Sequence, residues 1–314
     1  MADRKLSIYG AIAANVAIAV TKFIVAGITG SSAMLSEGIH STVDIGNGLL
    51  LLTGTRLSRR PPTPQHPFGH GKELYFWSLI VAVLIFGLGG GLSIYEGVLH
   101  IRDPAPLEDP MWNYIVLGAA ALFEGSSFTI ALHQFLGEAG ERPFWQALHG
   151  SKDPTHYTVL AEDGAALAGL AVAAVAVWAS HHFDMPQLDG VGSLLIGMLL
   201  AGVAVVLIHE ARGLLVGEGI RRDTAQWIRD RVTREPTVRA VGPLLSMYIG
   251  ADEALLAFDV ELDPDTPAGE AAAMVERVEH DIRERYPKVT RIYMEARPKV
   301  KAPGASPAVP AQAD

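Results

Sequence analysis

Residues 188–211 read LDGVGSLLIGMLLAGVAVVLIHEA, a stretch that is apolar and nearly free of charge. A helix needs about 20 such residues to cross roughly 30 Å of hydrocarbon. A helix in a soluble core is usually shorter, with one polar face. Working outward, five further stretches have the same texture: 7–29, 33–55, 74–99, 111–136 and 155–180. The first is too long for the apolar core of a signal peptide, and it leads directly into another span. Six transmembrane helices are therefore predicted.

The whole chain agrees with that texture. Of its 314 residues, 49% are hydrophobic and 19% charged, and the mean hydropathy is +0.25. Disorder is excluded, because it requires low hydrophobicity and high charge. The formal net charge of −9 leaves no basic surplus for nucleic acid. The absence of cysteine removes disulfides, thiolate zinc sites and cysteine nucleophiles.

Basic residues set the orientation. Arg4 and Lys5 precede the first span, and Arg56, Arg59, Arg60 and Lys72 separate the second from the third. Arg142 and Lys152 lie between the fourth and fifth, and Arg212, Arg221 and Arg222 follow the sixth. The opposite loops offer Arg102 beside Asp103, Glu108 and Asp109. The positive-inside rule then places both termini in the cytoplasm. With no targeting extension in view, the expected location is a bacterial-type plasma (inner) membrane.

Beyond residue 214 the pattern changes. A helix is predicted over 222–234, a strand over 244–250, and a second strand over 254–262. In the latter, Leu256, Phe258, Val260 and Leu262 alternate with Ala257, Asp259 and Glu261, the period of a half-buried strand. A helix over 267–286 places Ala271, Val275, Val278 and Ile282 on one face, capped by Thr266 or Asp265. A last strand covers 289–296. The expected organisation is a membrane all-α six-helix bundle (1–213), a small cytosolic α+β domain of αββαβ, ferredoxin-like order (214–297), and a disordered Pro/Ala-rich tail (298–314).

Ionisable groups at membrane depth are functional candidates by default, because each costs at least about 2.5–3.5 kcal/mol to insert. The second span carries Glu37, His40, Asp44 and Asn47. His40 and Asp44 are i, i+4 neighbours, with Asn47 one turn further along. An imidazole and a carboxylate so placed can both reach one divalent cation. The fifth span carries Glu162 and Asp163 in succession, whose directions differ by about 100°. His156 lies too far along that helix to share the same ion. Asn15, Lys22 and Glu124 are also inside spans; Glu124 is read as a ligand, a proton carrier or the partner of Lys22. Gly87, Gly89, Gly90 and Gly91 lack the strand and Lys-Ser or Lys-Thr of a phosphate loop. They read instead as close helix packing, like Ser193, Gly197 and Ala201 in span six.

These residues resemble the cation diffusion facilitator family of metal–proton antiporters. The similarity rests on Asn15, Lys22, Gly27, Gly30-Ser31-Ser32-Ala33, Glu37 and His40-Ser41-x-x-Asp44, followed by His66-Pro67-Phe68-Gly69-His70-Gly71-Lys72-Glu73. The resemblance implies a tetrahedral divalent-ion site between spans two and five, with His40 and Asp44 as its first half. If Asp163 ends the second half, Val159 occupies the position of the other ligand. The chain thus looks like a divergent branch with Glu-Asp on the fifth helix. Glu162 is then the candidate fourth ligand, with Asn47 as second choice. The same resemblance suggests an accessory ion at His66 and His70, although Thr63 stands where an acid is expected. His280 is the single histidine after His209, so the domain is expected to form a homodimer without a full zinc cluster.

The expected function is export of Zn²⁺ from the cytoplasm in exchange for H⁺, with Mn²⁺, Fe²⁺ or Co²⁺ as alternative cargo and no organic cofactor. A non-transporting membrane metal sensor is the rival reading. A membrane metallohydrolase is disfavoured by the lack of a His-Glu-x-x-His motif.

Overall fold

A computed structural model describes residues 2–104, 110–139 and 152–297. The expected tail 298–314 lies outside them, as do Glu108, Asp109 and Arg142 and the side chains of Arg4, Lys5 and His156. The chain divides into two compact units. One contains the residues up to Arg60 together with Glu73–Arg212; the other contains Pro61–Lys72 and the residues from Gly213 onward.

The first unit is helical. Its elements are α1 (Ala2–Thr29), α2 (Ser32–Ser58), α3 (Glu73–Arg102), α4 (Met111–Ala139), α5 (Pro154–His182) and α6 (Gln187–Val216), the last of which runs on past Arg212 into the second unit. Among the described residues α3 and α6, with Met111–Gly137 of α4 and Tyr157–His182 of α5, are long and apolar enough to cross a membrane. The described apolar part of α1, Asn15–Thr29, is shorter. Helix α2, which carries four polar side chains at its centre, is not among the four. It is placed centrally, packed against α1, α3 and α5.

Local chemistry fixes the α1–α2 turn. Gly30 has a φ of 68°, a left-handed value that costs glycine nothing, and its N–H donates to Ala26 at 2.9 Å. Ser31 then caps α2, its hydroxyl accepting from the Met34 N–H at 3.1 Å. A second cap comes from α6. The buried Asp189 carboxylate accepts from the Ser31 hydroxyl at 2.9 Å and from the backbone N–H groups of Ser32 and Ala33. A negative group at a helix N-terminus satisfies orphan donors and the helix dipole together.

Small residues bring α3 against α6. A Cβ on Gly97 would stand 2.6 Å from the Leu194 nitrogen, and one on Gly90 would stand 3.1 Å from the Ala201 nitrogen. The glycine-rich stretch Ile85–Gly91 is wound as a π-helix within α3. Close packing thus explains Gly90, whereas a Cβ on Gly87 would meet nothing within 4 Å.

In the second unit, α7 (Arg222–Thr233) and α8 (Ala268–Arg285) accompany β1 (Val238–Val241), β2 (Leu245–Gly250), β3 (Glu253–Leu262) and β4 (Val289–Arg297). Strands β1 and β2 pair antiparallel with successive parts of β3, while β4 pairs with it in parallel. The ferredoxin-like αββαβ order holds, with its first strand split by the short additional segment β1. The core contains Ile228, Val232, Leu256, Phe258, Val260, Met274, Val278, Ile282 and Ile292. Met274, rather than Ala271, completes the buried stripe of α8. Pro267 itself occupies the N-cap, with no side-chain cap from Thr266 or Asp265.

Candidate metal site

Helix α2 enters the bundle with its polar face toward α1 and α5. On that face Lys22 of α1 donates to Glu37 Oε2 at 3.0 Å and to Ser41 Oγ at 2.8 Å, with Lys22 and Glu37 fully enclosed. Lys22 is thus the partner of Glu37. The other carboxylate oxygen, Oε1, lies against Gly169 of α5, where an added Cβ would stand 2.5 Å away.

One turn further along α2, His40 Nδ1 lies 3.3 Å from Asp44 Oδ1. Both ring nitrogens of His40, which is 2% exposed, and Asp44 Oδ1 lack a hydrogen bond. A buried imidazole without such partners holds unspent ligand capacity. Asn47 donates from its amide nitrogen to Glu162 Oε1 at 2.8 Å, joining α2 to α5. Asp163 turns toward α4, where Ser127 Oγ donates to its Oδ2 at 2.9 Å.

These groups border a cavity of about 190 Å³ among α1, α2, α4 and α5. It is lined by Asp44, Glu124, Ser127, Val159, Glu162 and Asp163, with Asn15, Ile18, Ser41, Gly48 and Phe123. Asp44, Glu162 and Asp163 open on it directly, while His40 and Asn47 touch it through Asp44 and Glu162. The successive carboxylates of α5 diverge, one to α2 and the other to α4, yet both line the same space. Among the described residues no three His, Asp or Glu side chains draw together at metal-ligand range. His66 and His70, in the second unit, stand with ring centroids 4.6 Å apart.

The cation efflux transmembrane domain matches residues 8–216, which include every one of these cavity-lining residues. This chain belongs to the cation efflux family. That is the cation diffusion facilitator family which its motifs resemble. The relatives it matches include the proton-coupled zinc antiporter SLC30A9, mitochondrial, of Xenopus laevis, 34% identical over 75% of this chain and 42% of that protein. Metal tolerance protein C4 of Arabidopsis thaliana is 37% identical over 63% of this chain and 44% of its own length. Magnetosome protein MamM of Paramagnetospirillum magneticum is 28% identical over 91% of this chain and 85% of its own. The chain spans less than half the length of the first two. A multi-pass membrane protein follows from the family and the apolar helices together.

Sequence reasoning did not find Ser127 or Asp189. A lone acid at the first turn of an apolar span was the available signal for Asp189. Ser127, three residues from Glu124, shares the Glu124 face of α4.

Proposed function

We propose that this cation efflux family member moves Zn²⁺ across the membrane by proton antiport, with His40, Asp44, Glu162 and Asp163 as cargo ligands. The observation that carries the reading is the cavity itself. Asp44, Glu162 and Asp163 open on one cavity, and His40, whose ring nitrogens lack a hydrogen bond, stands behind Asp44. Zn²⁺ takes imidazole nitrogen and carboxylate oxygen in a shell about 2.0–2.2 Å in radius. Closing that shell requires α2 and α5 to bring their ligands inward, and Asn47, now bonded to Glu162, is the second-choice ligand.

Exchange follows from competition. Metal binds neutral imidazole and ionised carboxylate, so its arrival releases protons and protonation releases it. Alternating exposure of the cavity to the two sides would convert that competition into antiport. The names of relatives described as proton-coupled zinc antiporters support both Zn²⁺ and H⁺ as partners. The basic loops support cytoplasmic termini, and hence export from the cytoplasm. The second unit is proposed as the homodimerisation domain, with His66 and His70 as a weak accessory site.

A second reading has Mn²⁺, Fe²⁺ or Co²⁺ as cargo, and the excess of carboxylate oxygen over imidazole nitrogen around the cavity favours Mn²⁺ among them. Proteoliposomes test both. Zn²⁺ or Mn²⁺ uptake driven by a pH gradient should disappear in Asp44→Ala and Asp163→Asn. Flux surviving in both variants removes the assignment, and binding without flux in the unsubstituted protein favours a metal sensor.

A further inference from the structure

Four other acids inside this bundle make hydrogen bonds, while Asp44 stands 3.3 Å from His40 with its Oδ1 unbonded. Glu37 has Lys22, Asp189 has Ser31 and the first turn of α2, Glu162 has Asn47, and Asp163 has Ser127. Glu124 makes no hydrogen bond or ion pair with a described residue. It stands near the middle of α4, at the depth where a carboxylate is most costly. Its side chain lines the carboxylate cavity. An acid kept only to hold helices together would be paired, because an unpaired one destabilises the packing.

Helix α4 also controls what faces Glu124 across the cavity. Ser127, one turn along the same face, holds the Asp163 carboxylate on the α4 side. Four carboxylates from α2, α4 and α5 share about 190 Å³. That space is several times the roughly 30 Å³ of one water, enough for a divalent ion that retains part of its hydration.

We propose that Glu124 is a further cargo ligand and a selectivity determinant, so that α4 joins α2 and α5 in holding the cation. The inference rests on the reading of this cavity as the transport site. Its oxygen changes the character of the donor set. His40 supplies the nitrogen that suits zinc, whereas an added carboxylate favours the harder Mn²⁺. Glu124 thereby sets how far the site discriminates between the two ions.

The test uses the purified full-length chain in nanodiscs, with Zn²⁺ or Mn²⁺ alone as titrant in calorimetry. Glu124→Gln should weaken Mn²⁺ binding at least tenfold and Zn²⁺ binding less, lowering the Mn²⁺-to-Zn²⁺ preference. Metal-free melting should be unchanged or raised, because the substitution removes an unpaired charge. Glu124→Asp, which keeps the charge on a shorter arm, should retain binding and shift the preference, and it serves if Glu124→Gln fails to fold. Wild-type affinities and preference in the folded Glu124 variants, with binding lost in Asp44→Ala, would overturn the inference and leave the transport reading intact. Undiminished binding in Asp44→Ala would remove the transport reading instead.

Discussion

Lys22 Nζ lies 3.0 Å from Glu37 Oε2, with both side chains fully enclosed between α1 and α2. Removing one member of such a pair strands the other charge, at a cost of about 3–5 kcal/mol. Lys22→Met should accordingly lower the melting temperature of the detergent-solubilised chain sharply. The double variant Lys22→Met/Glu37→Gln should recover most of the loss. A strictly additive double variant would show that the pair contributes nothing as a pair.

Ser127 lines the proposed cargo site and orients Asp163 there. Losing an outer hydrogen bond of this kind typically weakens metal binding by about 10–100-fold. Ser127→Ala should show that loss in Zn²⁺ titrations while the fold keeps its stability, and Ser127→Thr should restore most of it. Equal affinities for Ser127→Ala and the unsubstituted chain would contradict the role.

Asp189 joins α6 to the start of α2 through Ser31, Ser32 and Ala33. Hydrogen bonds to a charged group contribute about 1.5–3 kcal/mol. Asp189→Ala should therefore destabilise the bundle by at least that amount, with amide hydrogen exchange rising first at residues 31–35. Ser31→Ala should cost less, about 0.5–2 kcal/mol for a lost cap. Uniform exchange across α2 in Asp189→Ala would argue against a local cap.

Gly97 and Gly118 make a matched pair of substitutions. A methyl at Gly97 runs into the Leu194 and Gly190 backbone, while one at Gly118 meets nothing within 4 Å. Gly97→Ala should destabilise by about 1–3 kcal/mol through overpacking. Gly118→Ala should be neutral or slightly stabilising, since alanine is the better helix former. Thermal unfolding in one detergent compares them directly.

Glu235 accepts from Arg231 and Arg277, each at 2.8 Å. Burial alone would push its carboxyl up, but the two guanidinium hydrogen bonds outweigh it and hold the group below the usual carboxylate range. An acid whose pKa is lowered by folding stabilises above its unfolded pKa, and that contribution fades as pH falls through the folded value. Glu235→Gln should thus speed hydrogen exchange in α7 and α8 at pH 7. The difference from the unsubstituted chain should shrink as pH falls below about 4.3, the ordinary glutamate value, and through the lowered folded one. A difference constant from pH 7 to pH 3 would assign it to packing.

The membrane bundle, the α+β unit and the family motifs were legible in the sequence, because each depends on local pattern. Apolar length decides insertion, alternation decides a half-buried strand, and i, i+4 spacing places His40 beside Asp44. The split first strand was less legible, since Val238–Val241 is short and takes its partner from residues 260–262 of β3. Partner choice among the buried acids belonged to tertiary structure. Lys22 had Glu37 and Glu124 within the same expected bundle, and only packing brought Glu37 to it. Adjacent residues on a helix diverge by about 100°, but that angle does not say which neighbour each one meets. The fold turns Glu162 to Asn47 and Asp163 to Ser127, because only the packed helices fix which side chain stands across each gap.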